Sequence, residues 1–374
     1  MNRFRTSILL SAFILLCSSC GQAQQPSNTN KQEKITTDTS VVLDTLKTSD
    51  NKDTISLIGV GDIMLGTTYP AGYLPPNDGK DLLTPVKDIL KNADVTFGNQ
   101  EGALFDGVGT PKKCSDPTKC YAFKSPERYA TYLADAGFDL MSVANNHSGD
   151  FGPDARLTTI KALQDAGILS SGSLAQPYVI LSKDGIRYGL ASFSPNTGTP
   201  DINNIPEAKK IVAMLDSLCD IVIVSFHGGA EGRTHQHVTR HTEIFYGEDR
   251  GNVYEFAHKM IDAGADVIFG HGPHVTRAID YYKGKFIIYS MGNFATYGRF
   301  NLAGENGFAP IIKIYTDKKG NFIKGEIISI AQLGEGGPVI DSNKAAALKI
   351  KELTQTDFPE IGLNISNEGI ITKK

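Results

Sequence analysis

From residue 54 onward, short apolar runs alternate with amphipathic segments, and the two periods predict different elements. TISLIGVGD is a β-branched run ending at glycines, which predicts a strand. In SPERYATYLADAGF, Ser125 as N-cap, Pro126 in the first turn and Gly137 as stop predict a helix, and the apolar DLMSVANN after it predicts a strand. GPDARLTTIKALQDAG carries Leu157, Ile160 and Leu163 at helical spacing and ends at Gly167. YVILSK and IRYGLASF read as two strands meeting near Asp184 and Gly185. IPEAKKIVAMLDSL and NVYEFAHKMIDAG then predict helices, while DIVIVSF, DVIFG and KFIIYSMGNF each predict one strand. SNKAAALKIKELTQTDF predicts a terminal helix on the domain's flank, with Ala346, Leu348 and Leu353 available for packing. Such alternation predicts an α/β domain with helices covering sheets.

The polar clusters interrupt this pattern at one kind of place. Asp62 follows LIGVG, Glu101 follows VTFGNQ, Asn146 and His147 follow LMSVAN, His227 follows VIVSF, and His271 follows VIFG. Each therefore falls at the carboxyl end of a predicted strand, the edge where ligand sites assemble in open α/β sheets. Taken singly, Asp62 also suits a turn or helix cap, Glu101 a solvated loop acid, and His147 or His227 a hydrogen-bonded structural histidine. Their convergence on strand ends favours a shared site. His235, His237 and His241 lie with Arg233 and Arg240 in the polar stretch RTHQHVTRH, which predicts a solvated or substrate-facing loop. His258 sits mid-helix beside Phe256 and reads as structural.

The chain before this pattern has another character. Arg3 and Arg5 precede the apolar ILLSAFILL, too short to span a bilayer, and Ser18 and Ser19 precede Cys20, so residues 1–20 are expected to be an export signal. The arrangement resembles a bacterial lipoprotein cleavage site with Cys20 as the acylated residue, although Cys17 stands where leucine is usual; a plain signal peptide is the alternative. A lipid of this kind would anchor the protein to the cell envelope without spanning the membrane. Residues 21–53 are polar without one aromatic residue and predict a flexible tether. Residues 54–330 are expected to form the domain, and 331–374 an extension packed on it.

Composition narrows the function. The 374 residues, 40% hydrophobic and 21% charged, can bury a sizeable core, and a net charge of −4 gives no overall basic surface for nucleic acid. Cys114 and Cys120 bracket SDPTK, which in an oxidising compartment predicts a loop-closing disulfide; Cys219 reads as a buried small hydrophobe.

Together GVGDIMLG, FGNQEG, ANNHSGDFG, SFHGGAE, GHGPHVTRAID and YSMGNF, over about Ile55 to Ile330, resemble the CapA family of capsule, or poly-gamma-glutamate, synthesis proteins. That family resembles the calcineurin-like metallophosphoesterases, so the resemblance implies a four-layer α/β/β/α sandwich with a two-metal site at the strand ends. It further implies Asp62 as a first ligand, with a part in catalysis, and Glu101 as the acid bridging both metals. Asn146, His227, His271 and His274 complete the implied ligands, with His147 as the acid that protonates a leaving group. Such donors suit Zn, Mn or Fe.

Two departures stand out. Met64 occupies the position of a histidine ligand, and GHGPH has an extra residue between its histidines, which would keep His274 from its counterpart's place. The expectation is one firm metal, held by Glu101, Asn146, His227 and His271, and a second that binds weakly or not at all. Asn99, Glu231, Arg250 and Arg277 are expected at the substrate, and Glu248 lies beside them; the arginines suit a carboxylate or phosphate, and surface ion pairing is their alternative role. The expected function is an envelope-anchored, metal-dependent hydrolase-like protein acting on an anionic polymer or phosphoester. The alternative is a non-catalytic polymer-binding or assembly component working with capsule-assembly proteins.

Overall fold

The structure is a computed structural model and describes residues 42–45, 53–113 and 121–374. The export signal, Cys20, nearly all of the expected tether and the Cys114–Cys120 pair lie outside the described residues.

Two sheets carry the domain. One has seven strands in the order Val42–Thr45, Tyr178–Lys183, Ile186–Phe193, Ile221–His227, Val267–His271, Lys285–Ile288 and Ile279–Tyr282. The other has ten, with Ile55–Met64 at its centre; Val95–Gln100, Leu140–Ser142 and Leu169–Ser171 run parallel on one side of it, and Phe308–Thr316 and Phe322–Gln332 run antiparallel on the other. Asn293–Thr296 pairs with the end of the central strand, placing Asn293 opposite Asp62. The sheets meet face to face, with Phe97 stacked on Phe269 at 5.4 Å between ring centroids. Helices Ile205–Leu218 and Val253–Asp262 cover the outer face of the first sheet. Tyr129–Ala136 and Gly152–Asp165 cover the second, which completes the four-layer α/β/β/α sandwich.

Local chemistry explains most boundaries. Asn204 and Asn252 accept the backbone N–H of Glu207 and Glu255 and so cap their helices. Gly137 closes its helix in the left-handed conformation, as predicted. Ser125 does not cap that helix: it ends a short strand and donates its hydroxyl to Gly66 O at 2.5 Å, so the helix starts at Tyr129. Leu157 and Leu348, predicted to pack, stay 53% and 44% exposed, while Ile160, Leu163, Ala346 and Leu353 are buried. Residues beyond 330 do more than cover a flank, since Leu363–Ile365 and Ile370–Lys373 extend the ten-stranded sheet.

The largest difference concerns KFIIYSMGNF, which is two strands in different sheets. Lys285–Ile288 ends in the first sheet, Tyr289 to Gly292 crosses between the layers, and Asn293–Thr296 joins the second. The crossing chain lies against the central strand, where Asp62 N–H donates to Gly292 O at 2.8 Å. A Cβ on Gly61 would sit 2.0 Å from that oxygen, so the position requires glycine. Among the described residues no helix is long and apolar enough to cross a membrane.

Candidate functional site

Parallel strands from both sheets end at one place. Asp62 and Glu101 come from the ten-stranded sheet, Asn146 from the loop after Leu140–Ser142, and His227 and His271 are the last residues of neighbouring strands in the other sheet, opposite each other in register. His274 follows in the next loop.

Asp62 is fully buried and saturated with donors. Its Oδ1 accepts from Asn99 Nδ2 at 2.9 Å and lies 3.1 Å from His271 Nδ1; its Oδ2 lies 2.9 Å from His274 Nδ1. Burial alone would raise this carboxyl, but the hydrogen bonds and positive charge of the two histidines outweigh it and hold Asp62 far below the usual carboxylate range. Glu101, also buried, accepts from Asn99 Nδ2 through Oε2 at 2.8 Å, while its Oε1 lies 3.6 Å from His227 Nε2. Burial pushes the Glu101 carboxyl up too, and the His227 charge brings it below its ordinary value. Burial would lower His274, but its bond to Asp62 and the charges of Asp62, Glu231 and Glu101 raise it to about 10. Two buried carboxylates thus create a field that stabilises positive charge at this point.

Donor chemistry tests whether a cation fits. Among the described residues, Glu101 Oε1, Asn146 Oδ1, His271 Nε2 and both ring nitrogens of His227 are buried without a hydrogen-bond partner. Leaving one such atom unpaired costs about 1–3 kcal/mol, so a cluster of them calls for a shared partner. Ligand atoms of Glu101, His227 and His274 all lie within 4.8 Å of one another. Oxygen and imidazole donors in this grouping fit a divalent transition metal. His274 is therefore brought to the cluster, against the expectation from the extra residue in GHGPH. A left-handed backbone at His274, φ 57°, and Asn293, whose Oδ1 lies 3.1 Å from His274 Nδ1, accommodate that residue. Met64 is fully buried.

His147 stands beside the cluster, its Nε2 4.0 Å from Glu101 Oε1 and its ring 4.4 Å from that of Phe123. Its Nδ1 is held by Asp150 Oδ2 at 2.8 Å, and Asp150 is fixed by Phe123 N–H at 2.7 Å and Lys112 Nζ at 2.6 Å. Asp150, Lys112 and Asn293 carried no strand-end pattern in the sequence; the carboxylate three residues after His147 was the one available signal. Asn145 separates in role from its neighbour Asn146: it donates to Asn99 Oδ1 and Gln100 O, and its own Oδ1 receives His147 N–H. We expect Asp150→Asn to lower turnover about 10- to 100-fold with metal content unchanged, because the orienting partner of His147 is weakened while the cluster is not touched. Wild-type turnover in this variant would show that Asp150 serves folding alone.

Above the cluster lies a cavity of about 370 Å³ lined by Asn146, His147, His274, Asn293, Glu231, Arg250 and several aromatic side chains. Arg250 lines it, with Nη2 3.0 Å from Glu231 Oε1 and Nη1 3.7 Å from Glu248 Oε2. Asn99 is buried beneath, bridging Asp62 and Glu101 rather than reaching the cavity. Arg277 also departs from the expected substrate contact: it is fully buried, and its two terminal nitrogens each lie 2.8 Å from a Glu243 oxygen. His237 pairs with Asp357 of the terminal helix at 2.7 Å, and His258 pairs with Asp280 at 2.7 Å and stacks on Tyr282. Neither belongs to the cluster. Cys219 is half-buried, and burial pushes its thiol up to about 11.

A four-layer α/β/β/α sandwich in which one sheet delivers carboxylate and asparagine donors and the other histidines to a shared edge resembles the metallophosphoesterase fold. The chain belongs to the family described as bacterial capsule synthesis protein PGA_cap, whose model matches residues 56–297. It is 27% identical to the capsule biosynthesis protein CapA of Bacillus anthracis, over 64% of this chain and 59% of that protein. It is 28% identical to the PGA biosynthesis protein CapA of Bacillus subtilis (strain 168), over 65% of this chain and 63% of that one, so the match spans less than two thirds of either relative. Among solved structures it is similar to a putative 5'-nucleotidase from Staphylococcus aureus, with a TM-score of 0.42 and 13% identity, over 84% of this chain and 60% of that chain.

Proposed function

We propose that this member of the capsule synthesis family is an envelope-anchored, metal-dependent hydrolase acting on an anionic polymer or phosphoester. The observation that carries the reading is that Glu101, His227 and His274 bring ligand atoms within 4.8 Å of one another beside the cavity, with Glu101 Oε1 and both His227 ring nitrogens buried and unpartnered among the described residues. Glu101, His227 and His274, with Asn146 and His271 beside them, would hold the metal, and Asp62 would steady the two later histidines. A divalent ion there supplies Lewis acidity and neutralises charge on an anionic substrate. His147 presents Nε2 towards the cluster and gives a proton to the departing group, with Asp150 holding Nδ1. Arg250 offers its guanidinium to a substrate carboxylate or phosphate. Anchoring through a lipid on Cys20 and contact with capsule-assembly proteins belong to the same proposal.

The test is elemental analysis of the protein purified without chelator, beside His227→Ala. About one transition-metal ion per chain is expected in the parent and little in the variant, because losing an imidazole from so small a donor set removes a strong ligand. Equal metal in both would refute the assigned site. One observation favours a second reading, in which the cavity only holds polymer: Met64 is a buried thioether where the related phosphoesterases place a histidine. Metal-free protein that still binds poly-gamma-glutamate would support it.

A further inference from the structure

Three lysine and arginine side chains line the cavity, and two are already neutralised. Lys112 Nζ lies 2.6 Å from Asp150, and Arg250 Nη2 lies 3.0 Å from Glu231. Arg299 is different: among the described residues it has no ion-pair partner, and its Nε is buried without a hydrogen bond. Its guanidinium lies between two aromatic faces, with Cζ 5.1 Å from the ring centroid of Tyr73 and 5.2 Å from that of Tyr121. Stacking of this kind fixes the plane of the fork and leaves its N–H edge for an acceptor.

The backbone around it is also fixed. Tyr297 N–H donates to Met64 O at 3.0 Å and Gly298 N–H to Glu335 O at 2.7 Å. Gly298 turns the chain at φ 82°, where a Cβ would stand 3.0 Å from Tyr73. The arginine is thus delivered by a rigid turn, the arrangement that loses least entropy when a ligand binds. A chain of ring contacts runs between it and His147: Tyr121 lies 6.4 Å from Phe123, Phe123 4.4 Å from His147, and Phe300 stacks on Phe123 at 5.2 Å. An anion held by Arg299 is therefore a different group from the one at the histidines.

From this arrangement we infer that Arg299 is a second anion anchor, and that the cavity takes an oligoanion bearing a carboxylate or phosphate beyond the group that meets the cluster. The inference rests on the proposed function for the placement of the first anionic group. It narrows the substrate class to molecules with at least two separated negative charges.

Calorimetric titration of the full chain with three probes tests it: a γ-linked glutamate pentamer, inorganic tripolyphosphate, and inorganic phosphate as the single-anion comparator. Arg299→Gln should weaken the oligoanion that binds by about 10- to 100-fold, the range for a charge-assisted hydrogen-bonded pair. Arg299→Lys, which keeps the charge but not the fork, should lose less. Inorganic phosphate affinity and metal content should be the same in both variants and the parent. Dependence on Arg299 for the pentamer identifies carboxylate as the second anion, and for tripolyphosphate, phosphate. The anchor is overturned if the parent binds neither oligoanion, if both variants bind as the parent does, or if phosphate affinity falls in parallel. Metal content is read separately, so a chain without metal that still shows Arg299-dependent binding would sink the hydrolase reading and keep the anchor.

Discussion

Under the proposed hydrolase reading, His147→Ala is expected to reduce turnover of bis(4-nitrophenyl) phosphate or poly-gamma-glutamate by about 10²- to 10⁴-fold, the usual contribution of a positioned acid. Bound metal and oligoanion binding should stay at parental levels. The separation follows from the geometry: His147 is held from behind by Asp150 at 2.8 Å and reaches Glu101 only at 4.0 Å, so removing it opens space beside the donors without taking one away. His227→Ala should lose bound metal and turnover together, because its Nε2 belongs to the buried donor set. Turnover and metal content measured on both variants therefore separate proton delivery from cation holding. If His147→Ala loses metal along with turnover, His147 is a ligand and not the acid.

The other large effect is on stability. Arg277→Ala should destabilise the protein by about 3–5 kcal/mol in urea unfolding, the cost of stranding one partner of a buried ion pair. Arg277 is fully buried, takes both oxygens of Glu243, and donates to Ala230 O at 3.1 Å. Glu243 in turn accepts Ala230 N–H at 2.9 Å, so the pair clamps the loop that leaves the strand end at His227. Its loss should also weaken metal binding through the position of His227. The double variant Arg277→Met, Glu243→Leu removes both charges and should recover much of the stability, since apolar replacements of a buried pair are often neutral. A change under about 1 kcal/mol in the single variant would place the pair among solvated ion pairs instead.

Both effects depend on groups of differing legibility. The strand ends bearing Asp62, Glu101, Asn146, His227 and His271 were visible in the sequence because apolar runs are local and a polar residue stopping one stands out. Arg277 and Arg250 looked alike there, each an arginine within or beside a glycine-rich motif. Glu243, 34 residues before Arg277, is what buries one, while Glu231 leaves the other at the cavity wall. Charge at one position says nothing about which distant carboxylate will neutralise it.

The order of helices and strands, the α/β class and the donor types at the strand ends were fixed by local pattern and by motif resemblance. Three things were decided only in the folded chain. KFIIYSMGNF splits between the sheets, because a continuous apolar run fits either buried layer and only the packing of Gly292 on Gly61 selects the crossing. His274 reaches Asp62 despite an added residue, because a left-handed turn and Asn293 place it there. Among the described residues Arg299 has no carboxylate partner and lies over Tyr73 and Tyr121, which are far from it in sequence. Periodicity records which face of an element is buried; which elements share that burial is a property of long-range contacts and appears only once the layers close.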